Sequence, residues 1–217
     1  MKRSIIALIL SIALLVCMTA CSGSKDPEPA PGGDTTTPTP TPTPPVTETI
    51  YDKLDDFADL NYQQIELSIV TVTGDMQLSA NYTLTQSNVS YSVEQLNMLP
   101  PNGDLTGISP EYKTTHTGYA KIVDGMVAEL DGEGVTLPSC DELKGNFSFA
   151  ESNFKNATTQ GNSFSADVVS PSNFYGSTVN VQNMKVTVEY TEIAFSKMVI
   201  TYQTANSTVT TTYEFAV

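Results

Sequence analysis

A short amphipathic helix is predicted near residue 50. Its apolar positions are Ile50, Leu54, Phe57 and Ala58, which fall on one side of a helix, while acidic residues occupy the other side. Thr49 and Asp52 have the spacing of a capping box, in which each side chain bonds to the backbone of the other residue. We therefore expect a helix over residues 49–60.

After this helix the hydrophobic period changes to two, which is typical of strands that bury one face. The alternating segments are residues 65–69, 76–84, 89–93, 113–123, 126–130, 184–190, 198–202 and 209–215. Turn-forming pairs such as Gly74-Asp75 and Asp124-Gly125 separate several of them. The pattern predicts a three-strand meander, a hairpin and a second three-strand meander, with outer faces rich in Thr and Ser, as in an antiparallel sheet that is wet on one side.

Two segments lack clear strand periodicity. Residues 99–110 are rich in Pro and Gly and are predicted to form a loop. Pro138–Gly176 is predicted to be irregular, with a helical turn near residues 150–156 and a one-turn helix that starts at Ser170-Pro171. This segment holds most of the phenylalanines of the chain, namely Phe147, Phe149, Phe154, Phe164 and Phe174, followed by Tyr175.

Together these elements predict an α+β fold, in which a curved antiparallel sheet is covered by the N-terminal helix and by the short helical and irregular segments. The element order of Ile65–Val93 and Met184–Phe215 resembles the half-barrel of the outer-membrane lipoprotein carriers and their relatives among exported lipoproteins. This resemblance implies an apolar cavity for acyl chains between the concave face of the sheet and its covering helices. The carriers are often soluble, whereas this chain is predicted to be tethered, which argues against a shuttling role.

The N-terminus has the form of a secretory signal. Two basic residues precede an apolar run, residues 5–16, which is too short to span a bilayer. The following Met18-Thr19-Ala20-Cys21 resembles the lipobox of bacterial lipoproteins, and this resemblance implies cleavage before Cys21 and diacylation of its thiol. Cys17 follows a bulky valine and fits such a cleavage site poorly. An ordinary signal peptide stays an alternative.

The predicted organisation has three parts. Residues 1–20 are the lipoprotein signal peptide, residues 21–45 are the lipidated Cys and a Thr/Pro-rich linker, and residues 46–217 are a single domain. Alternate prolines block helix and sheet, so the linker is predicted to be an extended spacer. We expect an exported protein, lipid-anchored to the outer face of a bacterial cell membrane of Gram-positive type. Ser22 after the lipidated Cys is also compatible with outer-membrane sorting in a Gram-negative host.

The charge of the chain restricts its partners. It carries 24 acidic residues and 10 Lys and Arg, a net charge of −14, and loss of Lys2 and Arg3 with the signal gives −16. A field of this sign repels nucleic acid. The expected partners are the membrane, through acylated Cys21, and a lipid or other apolar small molecule. Attraction of cationic ligands stays an alternative, and we expect a monomer.

The sequence gives little support for catalysis or metal binding. His116 is the only histidine, and neither a nucleophile turn nor a phosphate-binding loop occurs. Cys140 lies beside Asp141 and Glu142, which should raise the pKa of its thiol and favour a structural over a reactive thiol. One His and one Cys do not make a zinc site, and the acids of residues 124–142 do not fit a calcium loop. We predict no enzymatic activity and no cofactor, with a two-carboxylate glycosidase as the enzymatic alternative.

The aromatic cluster is the candidate binding site. The predicted cavity-lining residues are Leu54, Phe57, Phe147, Phe149, Phe154, Phe164, Phe174 and Tyr175. The same residues would also serve as ordinary core, and both interpretations stay open at this point. We predict a non-catalytic cell-surface lipoprotein that binds a lipid or other apolar ligand in a cavity between the sheet and its covering helices. The alternative is a structural or adhesive surface protein that holds protein or glycan partners through the exposed face or an edge of the sheet.

Overall fold

The computed structural model describes residues 48–97, 113–131 and 137–217. The predicted signal peptide, Cys21, the Thr/Pro-rich linker and the predicted loop at residues 99–110 lie outside these ranges. Among the residues described, no helix is long and apolar enough to cross a bilayer.

Most of the described chain forms one antiparallel sheet of ten strands. The strands are β1 (Gln64–Thr73), β2 (Met76–Thr85), β3 (Asn88–Leu96), β4 (Lys113–Val123), β5 (Met126–Asp131), β6 (Phe154–Gln160), β7 (Ser163–Val168), β8 (Gln182–Tyr190), β9 (Phe195–Gln203) and β10 (Thr208–Ala216). Their order across the sheet is β5-β4-β3-β2-β1-β10-β9-β8-β7-β6. The antiparallel sheet, with the two predicted meanders and the hairpin, is confirmed.

The first and last strands join two halves of the sheet. Strands β1–β5 and strands β6–β10 each follow one another as neighbours, so each half is a five-strand meander. Strands β1 and β10 pair along their length, from Gln64 opposite Ala216 to Val72 opposite Thr208. The core therefore depends on a pairing between residues that are far apart in the sequence.

The described residues also form four short helical segments: α1 (Ile50–Ala58), α2 (Cys140–Lys144), a single 3-10 turn (Glu151–Asn153) and α3 (Pro171–Phe174). The predicted capping box of α1 is present, because the Thr49 hydroxyl accepts from the N–H of Asp52 while the Asp52 carboxylate accepts from the N–H of Thr49. Ser139 and Glu142 form a second capping box at the start of α2. Helix α1 is tied to the chain after α2, since the Asp55 carboxylate accepts from the N–H of Phe149 at 2.6 Å.

The prediction that Pro138–Gly176 is irregular is wrong for one stretch, which forms the β6–β7 hairpin. Strand β6 is exposed from Lys155 to Gln160, because it lies at the edge of the sheet, so its sequence shows no hydrophobic alternation. Strand β7 does alternate, with Phe164, Ala166 and Val168 buried. The predicted helical turn near residues 150–156 is confirmed only as the 3-10 turn.

One face of the sheet carries the core. Its register aligns Tyr91, Tyr82, Leu67, Tyr213, Met198, Val188 and Phe164 in a row that crosses seven strands, from β3 to β7. All seven side chains are buried. The neighbouring positions on these strands point to the other face and are mostly Ser, Thr, Lys and Glu. Only one face of the sheet is therefore available to pack against the helices.

Both edges of the sheet are irregular. The pairing of β5 with β4 shifts register between Lys121 and Ile122. The pairing of β6 with β7 shifts between Lys155 and Thr158, where Asn156 has a positive φ of 52°. Bulges of this kind twist an edge strand and make it a poor template for a strand from another chain.

A candidate ligand-binding cleft

The predicted cavity-lining residues are mostly packed against one another. Leu54, Phe57, Phe147, Phe149, Phe154, Phe164 and Phe174 are buried, and Tyr175 is half-buried. Phe149 is at the centre of the group: its ring lies 5.6–6.4 Å, between centroids, from four other phenylalanine rings. These distances are those of direct aromatic packing. This part of the structure is consistent with a filled core.

A cleft of about 330 Å³ lies beside this aromatic group, at one end of the sheet. Its apolar lining includes Ile65, Leu84, Ile122, Phe147, Phe195 and Phe215. Its polar rim includes Asp59, Asn61, Thr85, Gln86 and Lys144. A volume of this size falls at the lower end of the range of small-molecule sites, about 300–1,000 Å³.

The cleft forms where several elements end. The chain leaves α1 and enters β1 on one side, and the β2–β3 turn and the β4–β5 turn lie on another. Helix α2 contributes Cys140 and Lys144, and the chain beyond it contributes Gly145 and Phe147. Of the eight predicted cavity residues, only Phe147 lines the cleft.

The other lining residues were not selected from the sequence as site residues. Ile65, Leu84 and Phe215 belong to the predicted alternation, which marks them as inward-facing but not as cleft-forming. Which strand ends meet depends on the β1–β10 pairing, and no local pattern contains that information. The start of helix α2 is predictable from the sequence, since Ser139 and Glu142 have the spacing of a capping box.

Tyr62 closes one side of the cleft through two hydrogen bonds. Its hydroxyl donates to the carbonyl of Phe57 at 2.9 Å and accepts from the N–H of Phe195 at 3.0 Å. Burial raises the pKa of Tyr62 to about 12, and the bond from the Phe195 backbone acts in the opposite direction. The ring of Tyr62 also lies 4.6 Å from that of Phe215. The wall between α1 and β9 is therefore fixed by both polar and aromatic contacts.

Gly145 allows the chain to bring Phe147 against the cleft. It has a φ of 74° and a ψ of 152°, a combination that is essentially restricted to glycine. A Cβ atom at Gly145 would overlap the ring of Phe147. That ring packs 5.4 Å from Phe174 and 5.3 Å from Tyr213. The close approach of glycine backbone and ring thus shapes this wall.

The thiol of Cys140 is buried at the cleft. Its pKa is raised mainly by burial, while the positive charge of Lys144 lowers it and the negative charge of Asp141 raises it further. The neighbouring carboxylates of Asp141 and Glu142 predict the direction of this pKa shift but not its main cause. Burial is the larger cause, and the Glu142 carboxylate is bonded to Ser139 in the capping box. A raised thiol pKa favours a structural role for Cys140 over a nucleophilic one.

The two charged side chains at the cleft rim, Asp59 and Lys144, are both exposed and do not pair with each other. Within the described ranges, no group of three or more His, Cys, Asp or Glu side chains could hold a metal ion. His116 is half-buried on β4, opposite Val93 of β3, and does not reach the cleft lining. The cleft therefore offers apolar contact and a polar rim.

No family model and no curated protein matches the sequence.

Proposed function

We propose that the protein is a non-catalytic, lipid-anchored surface protein that binds a small apolar ligand in the cleft. The supporting observation is the cleft itself, whose lining combines large apolar side chains with five polar side chains. Ligand sites commonly combine a mostly apolar wall with a few polar groups that fix orientation. The aromatic group centred on Phe149 supports the cleft from behind, and a role for it in lining a larger cavity stays a prediction.

The finer description of the fold is part of this proposal. We propose an α+β half-barrel in which α1, α2 and α3 cover the concave face of a curved sheet. Support comes from the contacts of α1: Tyr51 packs on Phe154 and Phe164, and Phe57 packs on Tyr190 and Phe195. These rings belong to the β6, β7, β8 and β9 side of the sheet. The resemblance to the lipoprotein carriers fits this arrangement, and the proposed cleft does not depend on it.

Anchoring is proposed from the N-terminal sequence. Export through residues 1–20, acylation of Cys21 and a spacer over residues 21–45 would place the domain on the outer face of the membrane, in a Gram-positive-type cell.

The intact mass of protein extracted from membranes tests cleavage before Cys21 and its acylation directly. We expect the mass of residues 21–217 plus acyl groups. The mass of the unmodified complete chain, or cleavage at another residue, would contradict the proposal.

The alternative function, adhesion through a sheet edge, has less support. Both edge pairs carry bulges, which disfavour addition of a partner strand. The polar outer face offers hydroxyl groups to a partner. A ligand in the cleft is therefore the better-supported function.

Filling the cleft is expected to weaken ligand binding. Gln86 is exposed at the cleft rim, so a tryptophan there would enter the cleft without removing a core side chain. The assay is equilibrium dialysis of decanol with the mature chain of residues 21–217 carrying Cys21→Ser, which lacks acyl groups and needs no detergent. We expect one decanol per chain, and at least tenfold weaker binding by Gln86→Trp, on the order of 1.4 kcal/mol.

The matched control is Asn206→Trp. Asn206 is an exposed residue of the β9–β10 turn, at the opposite end of the sheet from Gln86. It should bind decanol like the parent chain. If Gln86→Trp leaves binding unchanged, decanol occupies another site, and if the parent chain binds none, the proposed function is wrong.

A further inference from the structure

We infer that the ligand of the cleft is a small organic anion, with one apolar chain or ring system against the cleft wall and one carboxylate-like group at Lys144. This inference rests on the proposed function and adds the size and the charge of the ligand. The volume of the cleft and the charged groups on its rim support it.

The volume of the cleft limits the apolar part of the ligand to a small ring system or one alkyl chain. An apolar cavity of about 150 Å³ holds one benzene molecule. The cleft, at about 330 Å³, therefore has room for roughly two such rings or one medium-length alkyl chain. A membrane lipid with two long acyl chains does not fit within it. The apolar wall also includes three phenylalanine rings, those of Phe147, Phe195 and Phe215, so ring systems and alkyl chains both find suitable contacts.

Lys144 is the cationic group on the rim. Lys113, Lys185 and Lys197 each have a carboxylate partner, in Glu94, Asp167 and Glu214 respectively. Lys144 has none among the residues that the structure describes. Within the described ranges, Lys53 and Lys155 also lack a salt bridge, and of these three lysines only Lys144 lines the cleft. A ligand carboxylate would supply the missing partner.

Lys144 lies close to the buried part of the cleft. It is one helical turn from Cys140 on α2, and Cys140 is buried and also lines the cleft. The rim carboxylate, Asp59, lies at the end of α1, on a different element, and does not neutralise Lys144 through a salt bridge. Repulsion from Asp59 would orient an anionic ligand with its carboxylate toward Lys144.

Charge preference is tested with three probes that share one alkyl chain: decanoate, decanol and decylammonium. The assay is equilibrium dialysis with the mature chain carrying Cys21→Ser. We expect decanoate to bind about fivefold more tightly than decanol, the upper end for an exposed ion pair, and decylammonium to bind more weakly than decanol. Lys144→Gln should lower the affinity for decanoate to about that for decanol, whereas Lys144→Arg should retain the preference.

Lys155→Gln is the matched control. Lys155 is an exposed lysine on edge strand β6 and is not part of the cleft, so this variant should bind all three probes like the parent. Equal binding of decanoate and decanol, with no effect of Lys144→Gln, would overturn the inference but keep the proposed function. A preference for decylammonium would overturn it in favour of a cationic ligand at Asp59. Failure of all three probes to bind would contradict the proposed function itself. Comparing 2-naphthoate with decanoate then distinguishes an aromatic from an aliphatic ligand.

Discussion

Phe149→Ala is expected to lower the free energy of unfolding by about 3–5 kcal/mol, which is typical of a large aromatic side chain removed from a core. The Phe149 side chain is fully buried, and its ring contacts those of Phe154, Phe164, Phe174 and Phe195. Truncation would leave a cavity between these rings, because they belong to β6, β7, α3 and β9 and cannot all move inward together. Guanidinium chloride unfolding followed by far-ultraviolet circular dichroism measures the effect.

Ile193→Ala is the control for this prediction. Ile193 is 69% exposed in the β8–β9 turn, so its truncation should change the free energy of unfolding by no more than about 0.5 kcal/mol. The comparison also distinguishes the two interpretations of the aromatic group. A cost below about 1 kcal/mol for Phe149→Ala would indicate loose packing, as expected of residues that line a ligand cavity and not of a filled core.

Much of the sheet could be predicted because most of its strands bury one face. In β2, β8 and β9, alternate residues such as Tyr82, Val188 and Ile200 are buried, and the hydrophobic period of two follows directly. The capping box at Thr49 likewise predicted the start of α1, which begins at Ile50. Each of these signals is local, because the residues that produce it lie within one element.

Strand β6 and the cleft could not be predicted in the same way. Strand β6 is exposed from Lys155 to Gln160, so no burial pattern marks it, and its place at the edge follows only from pairing with β7. The cleft requires Ile65 and Phe215 to be opposite each other across the β1–β10 pairing. The sequence also does not reveal the rare backbone conformation of Gly145, since a glycine at this position is equally compatible with an ordinary C-terminal end of α2.

Gly145→Ala is expected to destabilise the protein by about 2–6 kcal/mol for two reasons that act together. The backbone conformation of Gly145 costs a residue with a side chain about 1–3 kcal/mol. The added methyl group would also displace the ring of Phe147, at a cost of about 1–3 kcal/mol for overpacking. Unfolding in guanidinium chloride measures the sum of both terms.

Gly74→Ala separates the two terms. Gly74 also has a positive φ, of 57°, but a methyl group there would meet no atom within 4 Å, so only a backbone cost of about 1–2 kcal/mol applies. If Gly145→Ala lowers the free energy of unfolding by no more than Gly74→Ala does, the ring of Phe147 shifts easily to make room for the methyl group. This wall of the cleft is then deformable. If Gly145→Ala costs more by over about 2 kcal/mol, which exceeds the possible difference between the two backbone costs, Phe147 is held by Phe174 and Tyr213, and the cleft is a preformed site. A preformed wall is what the proposed charge preference requires, because only a ligand held in one orientation places its carboxylate at Lys144.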